Sequence, residues 1–416
     1  NNHDLYNCIL ILKLQQKQPE LKGTVRITGS KSESNRLLLL QALFGNFEIK
    51  NLSNSEDSDM MQQALASTEK TVDIHHAGTA MRFLTAYFAA YEGRETLLTG
   101  SSRMQERPIG LLVNALNSLG ADISYVKNEG FAPLLIKGKK LEQNKVALEA
   151  NVSSQYISAL MMVGASRPNG IEIELIGKIT SVPYIEMTRS LLTQLGIEST
   201  FEGQIITIKP VTSVEVKEMV VESDWSSASY YYSLAALCDS AELKLSSYKK
   251  NSLQGDSALA EIYTELGVET TFLENEILLK KTKAPKSKRV SFDLANSPDI
   301  AQTIAVTCYG LGIGCELTGL HTLKIKETDR LEALKAELTK LCAEITVTND
   351  SLHLKPGTNY QGDVIIKTYQ DHRMAMAFAP MALRVPIVFE DAEVVNKSYP
   401  DYWNDLKSLG FEISEL

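Results

Sequence analysis

Six segments of the chain open with small or polar residues and run straight into a long apolar stretch. Ser30–Arg36 leads into Leu37–Leu43, Gly78–Arg82 into Phe83–Ala90, and Ser153–Gln155 into Tyr156–Val163. Ser226–Ala228 leads into Ser229–Leu237, Pro298-Asp299 into Ile300–Tyr309, and Asp371–Arg373 into Met374–Leu383. From the second onward the starts fall at 78, 153, 226, 298 and about 372, a recurrence every 72 to 75 residues. A polar entry followed by apolar positions on most sides predicts a buried helix that keeps its N-terminus accessible. A second series lies between these. Amphipathic helices end at Leu119-Gly120, Leu195-Gly196, Leu266-Gly267, Leu341-Cys342 and Leu409-Gly410. Four of those five ends place Gly where a helix C-cap takes left-handed backbone. Short alternating strands follow, as in Ala121–Tyr125 and Val268–Phe272.

The repeat unit is therefore helix, strand, helix, strands, about 73 residues long, and the fold class is α/β. Six such units would need roughly 440 residues, more than the chain has. The shortfall is local, because the first unit starts at residue 30, only 48 before the second. Its connection, Ser67–Asp73, lacks about one hairpin. Cys8–Leu12 reads as a further strand. No Gly/Ser-rich linker marks a domain boundary, and Lys280–Arg289, with six cations in ten residues, reads as a solvated turn between strands.

Composition narrows the class without naming a chemistry. The chain has 416 residues, 44% hydrophobic and 22% charged, with 24 Gly and 12 Pro, which excludes disordered, collagen-like and coiled-coil proteins. Forty-two Lys and Arg against 51 Asp and Glu give a net charge of −9, so no global footprint for nucleic acid or an anionic membrane exists. A local cluster of cations still permits anionic small molecules. Apolar runs of about ten residues are too short to span a bilayer. No typical signal peptide opens the chain, and without an initiator Met a removed presequence stays open. Five scattered cysteines without metal-type spacing point to a reducing compartment and no structural disulfides. Six histidines, with one adjacent pair His75-His76 and no HExxH, argue against a zinc site.

The helix starts carry the chemistry. A helix N-terminus presents unpaired N–H groups and partial positive charge, and so attracts anions. Capping accounts for the Ser and Asp residues there. It does not account for Lys31, Arg36, Arg82, Arg107, Arg330 and Arg373, which oppose the helix dipole unless an anion lies between. The pattern predicts a site for more than one anionic group. Gly29–Ser32 lacks the GxxxxGK[ST] spacing, so a nucleotide-dependent phosphotransferase is weakly supported. Ser153-Ser154-Gln155 offers hydroxyls and an amide to phosphate oxygens. Arg103–Ile109 puts two arginines before a Pro-initiated helix, with a surface ion pair to Glu106 as the plain alternative. In Lys326–Arg330 the two cations share a helical face and Glu327 lies three residues from Arg330. A solvated helix start explains that cluster equally well; a preceding strand, Leu320–Ile325, would aim it at the same edge as the other starts.

Taken together, GSKSESNR at Gly29–Arg36, AGTAMR at Ala77–Arg82, RMQERPIG at Arg103–Gly110, SSQYISALM at Ser153–Met161, KETDRL at Lys326–Leu331 and DHRMAMAF at Asp371–Phe378 resemble the 3-phosphoshikimate 1-carboxyvinyltransferase (5-enolpyruvylshikimate-3-phosphate synthase) family, in its order and over nearly the whole chain. SDWSSASYY at Ser223–Tyr231 and KSYPD at Lys397–Asp401 extend the likeness. The sister UDP-N-acetylglucosamine enolpyruvyl transferases share the fold but lack the KETDR and DHRMAM pair and carry a loop cysteine, and no Cys lies in Ser101–Arg107.

The resemblance implies two similar domains of the inside-out α/β barrel type, each of three repeated strand–helix units, hinged around a central cleft. Residues 29–222 would form the shikimate 3-phosphate side, and 1–28 plus 223–416 the side of the catalytic Asp and Glu. The implied reaction moves the enolpyruvyl group of phosphoenolpyruvate to the 5-hydroxyl of shikimate 3-phosphate by addition and elimination, releasing phosphate, with no metal or organic cofactor. A cytoplasmic monomer acting on small molecules, with no nucleic acid or membrane partner, is expected.

By the same resemblance Lys31 lies between both substrates, and Ser32 and Arg36 hold the shikimate carboxylate side. Ser153, Ser154 and Ser181 bind the 3-phosphate, and Gln155 packs on the ring and reaches phosphoenolpyruvate. Asp299 orients the ring hydroxyls and accepts a proton, with Thr322 and Lys326 nearby. Gly78, Arg107, Arg330, Arg373 and Lys397 surround phosphoenolpyruvate. Glu327 donates the proton to the methylene carbon, which requires a raised pKa or transient protonation, and His372 is close by. Three departures stand out: His76 replaces the Asn or Asp usual before AGTAMR, Thr322 replaces a frequent Asn, and the first unit is short. Gly78 is the residue whose enlargement would crowd phosphoenolpyruvate, which implies sensitivity to glyphosate. A catalytically silent anion-binding protein of the same fold is the alternative, against which the presence of both Asp299 and Glu327 counts.

Overall fold

The computed structural model describes residues 9–179, 182–285 and 287–416. The chain divides into two compact units, one running Gly29–Val221, the other joining the segment up to Thr28 to Glu222–Leu416. No helix among the described residues is long and apolar enough to cross a membrane.

In the first of these units the core is built on three helices, Lys31–Phe44, Gly78–Ala89 and Ser154–Ala165. Gly78–Ala89 is buried along its whole length, and Ser154–Ala165 from Tyr156 onward. Such helices have no solvent face to spend polar residues on, which is why their sequences are apolar all round. Polarity is confined to the entry. Ser30 Oγ accepts from Glu33 N at 3.1 Å and Ser153 Oγ from Gln155 N at 3.3 Å. The entry to Gly78–Ala89 has no side-chain cap.

The second unit repeats this plan with Trp225–Leu237, Ala301–Gly310 and His372–Phe378. Every residue of Trp225–Leu237 is buried, including Tyr231 and Tyr232. Their hydroxyls are satisfied by Tyr399 Oη and Thr270 Oγ1, each at 2.7 Å, so the phenols cost little to bury. Asp224 and Asp371 cap their helices, at 3.2 Å from Ser226 N and 3.0 Å from Arg373 N. Ala301–Gly310 is entered through a 3-10 turn, Pro298–Ile300.

Around these helices lie small sheets with one pattern: a parallel pair followed by two antiparallel neighbours. Thr71–Asp73, Glu95–Thr99, Leu134–Lys137 and Asp122–Tyr125 follow it in that order. So do Lys145–Glu149, Ile171–Ile176, Ile205–Ile208 and Ser199–Glu202. In the other unit the same order holds for Glu20–Arg26, Ser240–Ser246, Glu276–Lys281 and Val268–Phe272. It holds again for Arg289–Asp293, Gly314–Thr318, Leu352–Leu354 and Ile345–Val347. In the last sheet the N-terminal strand Leu12–Gln15 takes the place of a hairpin strand, between Ile387–Phe389 and Glu412–Glu415. The sixth sheet is the shortened one: Glu48–Lys50 pairs in parallel with Glu218–Val220 and no hairpin follows. Helix Glu56–Ala66 instead runs on to Thr71–Asp73 of the next sheet.

The helix exits agree with the sequence pattern. Gly120, Gly196, Gly267 and Gly410 have φ of 110°, 82°, 90° and 95°, and Cys342 takes the same turn at 73°. At Gly267 a Cβ would also sit 1.9 Å from Lys283 O.

Four local expectations are corrected. Leu320–Ile325 is not a strand; after Gly319, at φ 75°, His321–Ile325 forms a 3-10 turn that buries Leu320 and Leu323, three apart. Lys326 and Glu327 precede the helix, which starts at Arg330 behind the N-cap Asp329. The helix expected to open on Pro108 starts at Gly110, because Pro108 bridges Phe131. The N-terminal strand starts at Leu12, and Cys8 lies outside the described residues. The basic stretch does separate two strands, Glu276–Lys281 and Arg289–Asp293, with Lys286 outside the described residues.

If the buried helices carry the stability, Leu39→Ala in one unit and Ile304→Ala in the other should each cost about 2–5 kcal/mol in urea unfolding followed by circular dichroism. Losses below about 1 kcal/mol at both would contradict this packing.

Candidate active site

In the Gly29–Val221 unit the expected residues gather at the N-terminal ends of the three buried helices. Arg36 is fully buried, and its Nε, Nη1 and Nη2 donate to Thr188 Oγ1, Ser32 O and Ser158 Oγ at 2.8, 2.9 and 2.9 Å. Its guanidinium lies over Phe83, 5.5 Å from the ring centre, with no carboxylate bonded to it among the described residues. Burial pushes its pKa down to about 10, against smaller upward pulls from Tyr184 and Glu33. Three of five donors are used, so two remain for an incoming acceptor.

Gly78, Arg82 and Arg107 form a second knot. A Cβ on Gly78 would stand 2.6 Å from Arg107 Nη1 and 2.9 Å from Arg82 Nη1. Arg82 donates to Gly78 O at 2.8 Å and lies 5.9 Å from the Tyr156 ring centre. Burial, then the neighbouring Arg107 charge, lowers the Arg82 pKa. Two guanidiniums against one glycine, neither ion-paired to a carboxylate among the described residues, repel each other until an anion lies between them. Gln155 Nε2 donates to Thr79 Oγ1 at 2.9 Å and Tyr156 Oη to Pro108 O at 2.7 Å, tying the third helix to this knot. Lys31 pairs with Asp57 at 3.2 Å. Ser153 and Ser154 open their helix. Ser181 lies outside the described residues. Among the described residues Arg103 has a single side-chain ion pair, the exposed one with Glu106 at 3.5 Å.

In the other unit the centre is Arg330, 2% exposed. Its Nε and Nη2 donate to the two oxygens of Asp371 at 2.7 and 3.3 Å. Its Nη1 donates to Asp299 Oδ1 at 2.9 Å and its Nη2 to Glu327 Oε2 at 2.6 Å. Asp371, fully buried, also holds the backbone N–H of Arg373. Lys326 Nζ and Arg373 Nη2 each stand 3.7 Å from an oxygen of Asp299. Burial pushes the Asp299 carboxyl up, but Arg373, Lys326 and Arg330 overrule it and hold it at about 2. Burial likewise works against the Glu327 charge, and Arg330 leads the interactions that keep its pKa below the ordinary value. The raised pKa expected for Glu327 is therefore not a property of the free protein.

His372, the first residue of its helix, has Nδ1 3.9 Å from Asp371 Oδ1. Lys397 ends a 3-10 turn and donates to Gln370 O. Thr322 lies in the His321–Ile325 turn, and its Oγ1 is buried with no hydrogen-bond partner among the described residues. Arg82 Nε and Arg373 Nε are left in the same condition. Buried polar atoms without partners are costly, so three of them at these positions favour a ligand that supplies acceptors. His76 is exposed immediately before the Ala77-Gly78 entry.

Sequence reasoning gave no role to Asp371, Asp57 or Thr79, although all three bind side chains it did select. Asp371 sits inside a quoted motif and reads as an N-cap, which it also is. Asp57 is one of three acidic residues in the first turn of Glu56–Ala66, and nothing in spacing marks it as the partner of Lys31.

These arrangements can be set beside known proteins. The family profile described as EPSP synthase (3-phosphoshikimate 1-carboxyvinyltransferase) matches residues 15–70 and 62–406. A 3-phosphoshikimate 1-carboxyvinyltransferase of Bacteroides fragilis (strain YCH46) is 46% identical over 399 residues, covering 95% of this chain and 97% of that protein. A Haemophilus influenzae (strain ATCC 51907 / DSM 11121 / KW20 / Rd) protein of the same name is 35% identical, covering 94% of this chain and 96% of its own. Among solved structures, an EPSP synthase from Acinetobacter baumannii superposes with a TM-score of 0.82 at 20% identity, over 97% of this chain and all of that one. That likeness concerns the fold, which is the two-domain inside-out α/β type. On the profile match and these relatives, the chain belongs to the EPSP synthase (3-phosphoshikimate 1-carboxyvinyltransferase) family.

Proposed function

We propose that this chain transfers the enolpyruvyl group of phosphoenolpyruvate to the 5-hydroxyl of shikimate 3-phosphate, a step of the shikimate pathway toward aromatic amino acids. The observation that carries the reading is Arg330 and its carboxylates: one buried guanidinium fixes both Asp299, as base, and Glu327, as acid. In the addition step the 5-oxygen bonds to C2 of phosphoenolpyruvate, its proton goes to Asp299, and C3 takes a proton from Glu327. In the elimination step C3 returns a proton to Glu327, the C2–O bond breaks with its electron pair leaving on phosphate, the C2–C3 double bond re-forms, and Asp299 gives up its proton to the departing phosphate.

Asp299 is held ionised in the free protein by Arg373, Lys326 and Arg330, and anions that draw on those cations raise its basicity as the substrates bind. Glu327 becomes an acid when the substrates arrive. Anions that draw on Arg330 and Arg373 weaken the attraction that holds its pKa low, while its burial continues to push it up. Lys326 and Thr322 face the ring hydroxyls beside Asp299, and His372 assists near the methylene carbon. Arg330, Arg373 and Lys397 hold phosphoenolpyruvate in this unit. In the other, Gly78, Arg107 and Gln155 receive it, Lys31 serves both substrates, Ser32 and Arg36 take the shikimate carboxylate side, and Ser153, Ser154 and Ser181 the 3-phosphate. The Gly29–Val221 unit is then the shikimate 3-phosphate side and the remainder the side of the acid and base. A chain with no charge surplus for nucleic acid and only small-molecule substrates acts as a cytoplasmic monomer; light scattering near 46.0 kDa is the check, and a doubled mass refutes it.

Phosphate release from the purified protein should require both substrates. Release without shikimate 3-phosphate, or only with ATP, would contradict the chemistry. Glu327→Gln and Asp299→Ala should keep the far-ultraviolet circular dichroism of the parent and lose about 10²-fold or more in turnover; near-normal rates would remove their roles. Gly78→Ala should force the Arg107 guanidinium aside and raise KM for phosphoenolpyruvate about tenfold, the loss of one charge-assisted hydrogen bond. Glyphosate should inhibit the parent and require a higher concentration against Gly78→Ala; full activity of the parent at high glyphosate would refute that.

A further inference from the structure

Glu337 is a buried carboxylate that the mechanism does not use. Helix Arg330–Lys340 buries Leu331, Leu334 and Leu338 along one face, and Glu337, fully buried, stands in the same stripe. A carboxylate in such a place must be bonded. Its Oε1 accepts from Tyr369 Oη at 2.8 Å and from Lys340 Nζ at 3.0 Å. Its Oε2 accepts from Lys367 N at 3.3 Å and lies 2.7 Å from Lys340 Nζ. Outside its own helix, Glu337 therefore bonds Lys367 and Tyr369, in the segment that leads to Asp371. Seven residues earlier on the same helix Arg330 bonds Asp371 itself. Seven residues are about two helical turns, so both side chains lie on one face and grip one segment at two points.

The gripped segment is strained. Asp371 N donates to Thr368 O at 2.8 Å, closing a turn whose central residues, Tyr369 and Gln370, have φ of 54° and 56°. Positive φ at both central positions is the habit of a type I′ turn, which Gly, Asn and Asp fill by preference. Larger residues persist there where the surroundings over-determine the backbone. Thr368 Oγ1 donates to Glu390 O at 3.2 Å, and Tyr369 is tied to Glu337. Gln370 is exposed, and its carbonyl accepts from Lys397 Nζ. Among the described residues that is the one hydrogen bond of the Lys397 ammonium, so two of its N–H groups remain for a ligand.

We propose that Glu337 is a positioning residue for phosphoenolpyruvate: through the Tyr369 hydroxyl it holds the left-handed turn that aims the Gln370 carbonyl at Lys397. This rests on the assignment of Lys397 to phosphoenolpyruvate. A lysine ammonium on a flexible stem loses rotamer freedom when it meets an anion, and an anchor already in place removes part of that loss. Arg330 depends less on the turn, because Asp299 and Glu327 hold it as well as Asp371 does. Loosening the turn therefore weakens the hold on one substrate and spares the acid and base. A Glu337 that merely braced its helix would show no preference between substrates.

The test is steady-state phosphate release by the parent, Tyr369→Phe, Glu337→Ala, Lys397→Met and the double variant Tyr369→Phe/Lys397→Met. Tyr369→Phe should raise KM for phosphoenolpyruvate about fivefold, and leave kcat and KM for shikimate 3-phosphate within about twofold of the parent. Glu337→Ala should reproduce that split; should it not fold, Tyr369→Phe decides. On a Lys397→Met background the Tyr369 change should add less than about twofold, because the side chain it positions is gone. An unchanged KM in Tyr369→Phe, equal losses for both substrates, or effects of the two changes that multiply would each overturn the proposal. If Lys397→Met is too slow to yield a KM, the split in Tyr369→Phe decides alone. A KM for phosphoenolpyruvate that Lys397→Met leaves unchanged would refute the assignment of Lys397, and with it the proposal. Absence of phosphate release in every sample would instead refute the assigned reaction, so the failures are separable.

Discussion

A guanidinium with almost no access to water needs acceptors for its N–H groups, and Arg330 finds them on three carboxylates. Its planar fork meets Asp371 through Nε and Nη2, reaches Glu327 with the same Nη2 and Asp299 with Nη1. Buried ion pairs are poor sources of stability, since desolvation offsets much of the attraction, but breaking one is expensive. Their value here is geometric. Asp371, Asp299 and Glu327 come from three different segments, and one rigid cation sets where each carboxylate points. A lysine in this place would supply charge without the fork.

The Gly29–Val221 unit follows the opposite rule. Among the described residues Arg36 and Arg82 are held by hydroxyls, carbonyls and aromatic faces instead of carboxylates. Such partners fix a guanidinium in place without neutralising it, which leaves its charge for something else. Arg36 illustrates the cost: burial lowers its pKa, and the smaller pulls of Tyr184 and Glu33 do not make it up. The polar ends of three buried helices tolerate this arrangement if an anion completes it, because both the N–H groups and the cations then find the same partner.

The fold was legible because its units are long and repeat. A period of 72 to 75 residues located the buried helices, and glycine at four of five amphipathic ends marked where the backbone turns left-handed. Legibility fails where a short segment is decided by its neighbours. Leu320–Ile325 carries apolar residues at 320, 323 and 325, a pattern open to either period, and burial of the first two resolves it as a turn. The same limit governs the site. Cations opposing a helix dipole are conspicuous in sequence, so Lys31, Arg36, Arg82, Arg330 and Arg373 stood out. Their carboxylate partners are inconspicuous, since an Asp at a helix entry already has a reason to be there. Asp371 is cap and ligand at once, and Asp57 is one acid among several.

One apparent conflict in the chemistry resolves along the same line. The acid proposed to protonate carbon should hold its proton, yet the interactions led by Arg330 favour the ionised form of Glu327 in the free protein. Desolvation acting alone would favour the protonated form, and Arg330 would then lose one of the carboxylates that orient it. If the pairing were unconditional it would never donate. A carboxylate balanced between desolvation and a single dominant cation avoids both outcomes, because an incoming anion changes only the second influence. Ground-state pairing therefore preserves the geometry while the protein waits, and under the proposed reaction the charge of the substrate would switch the residue toward its acidic form once the reacting carbon is in place.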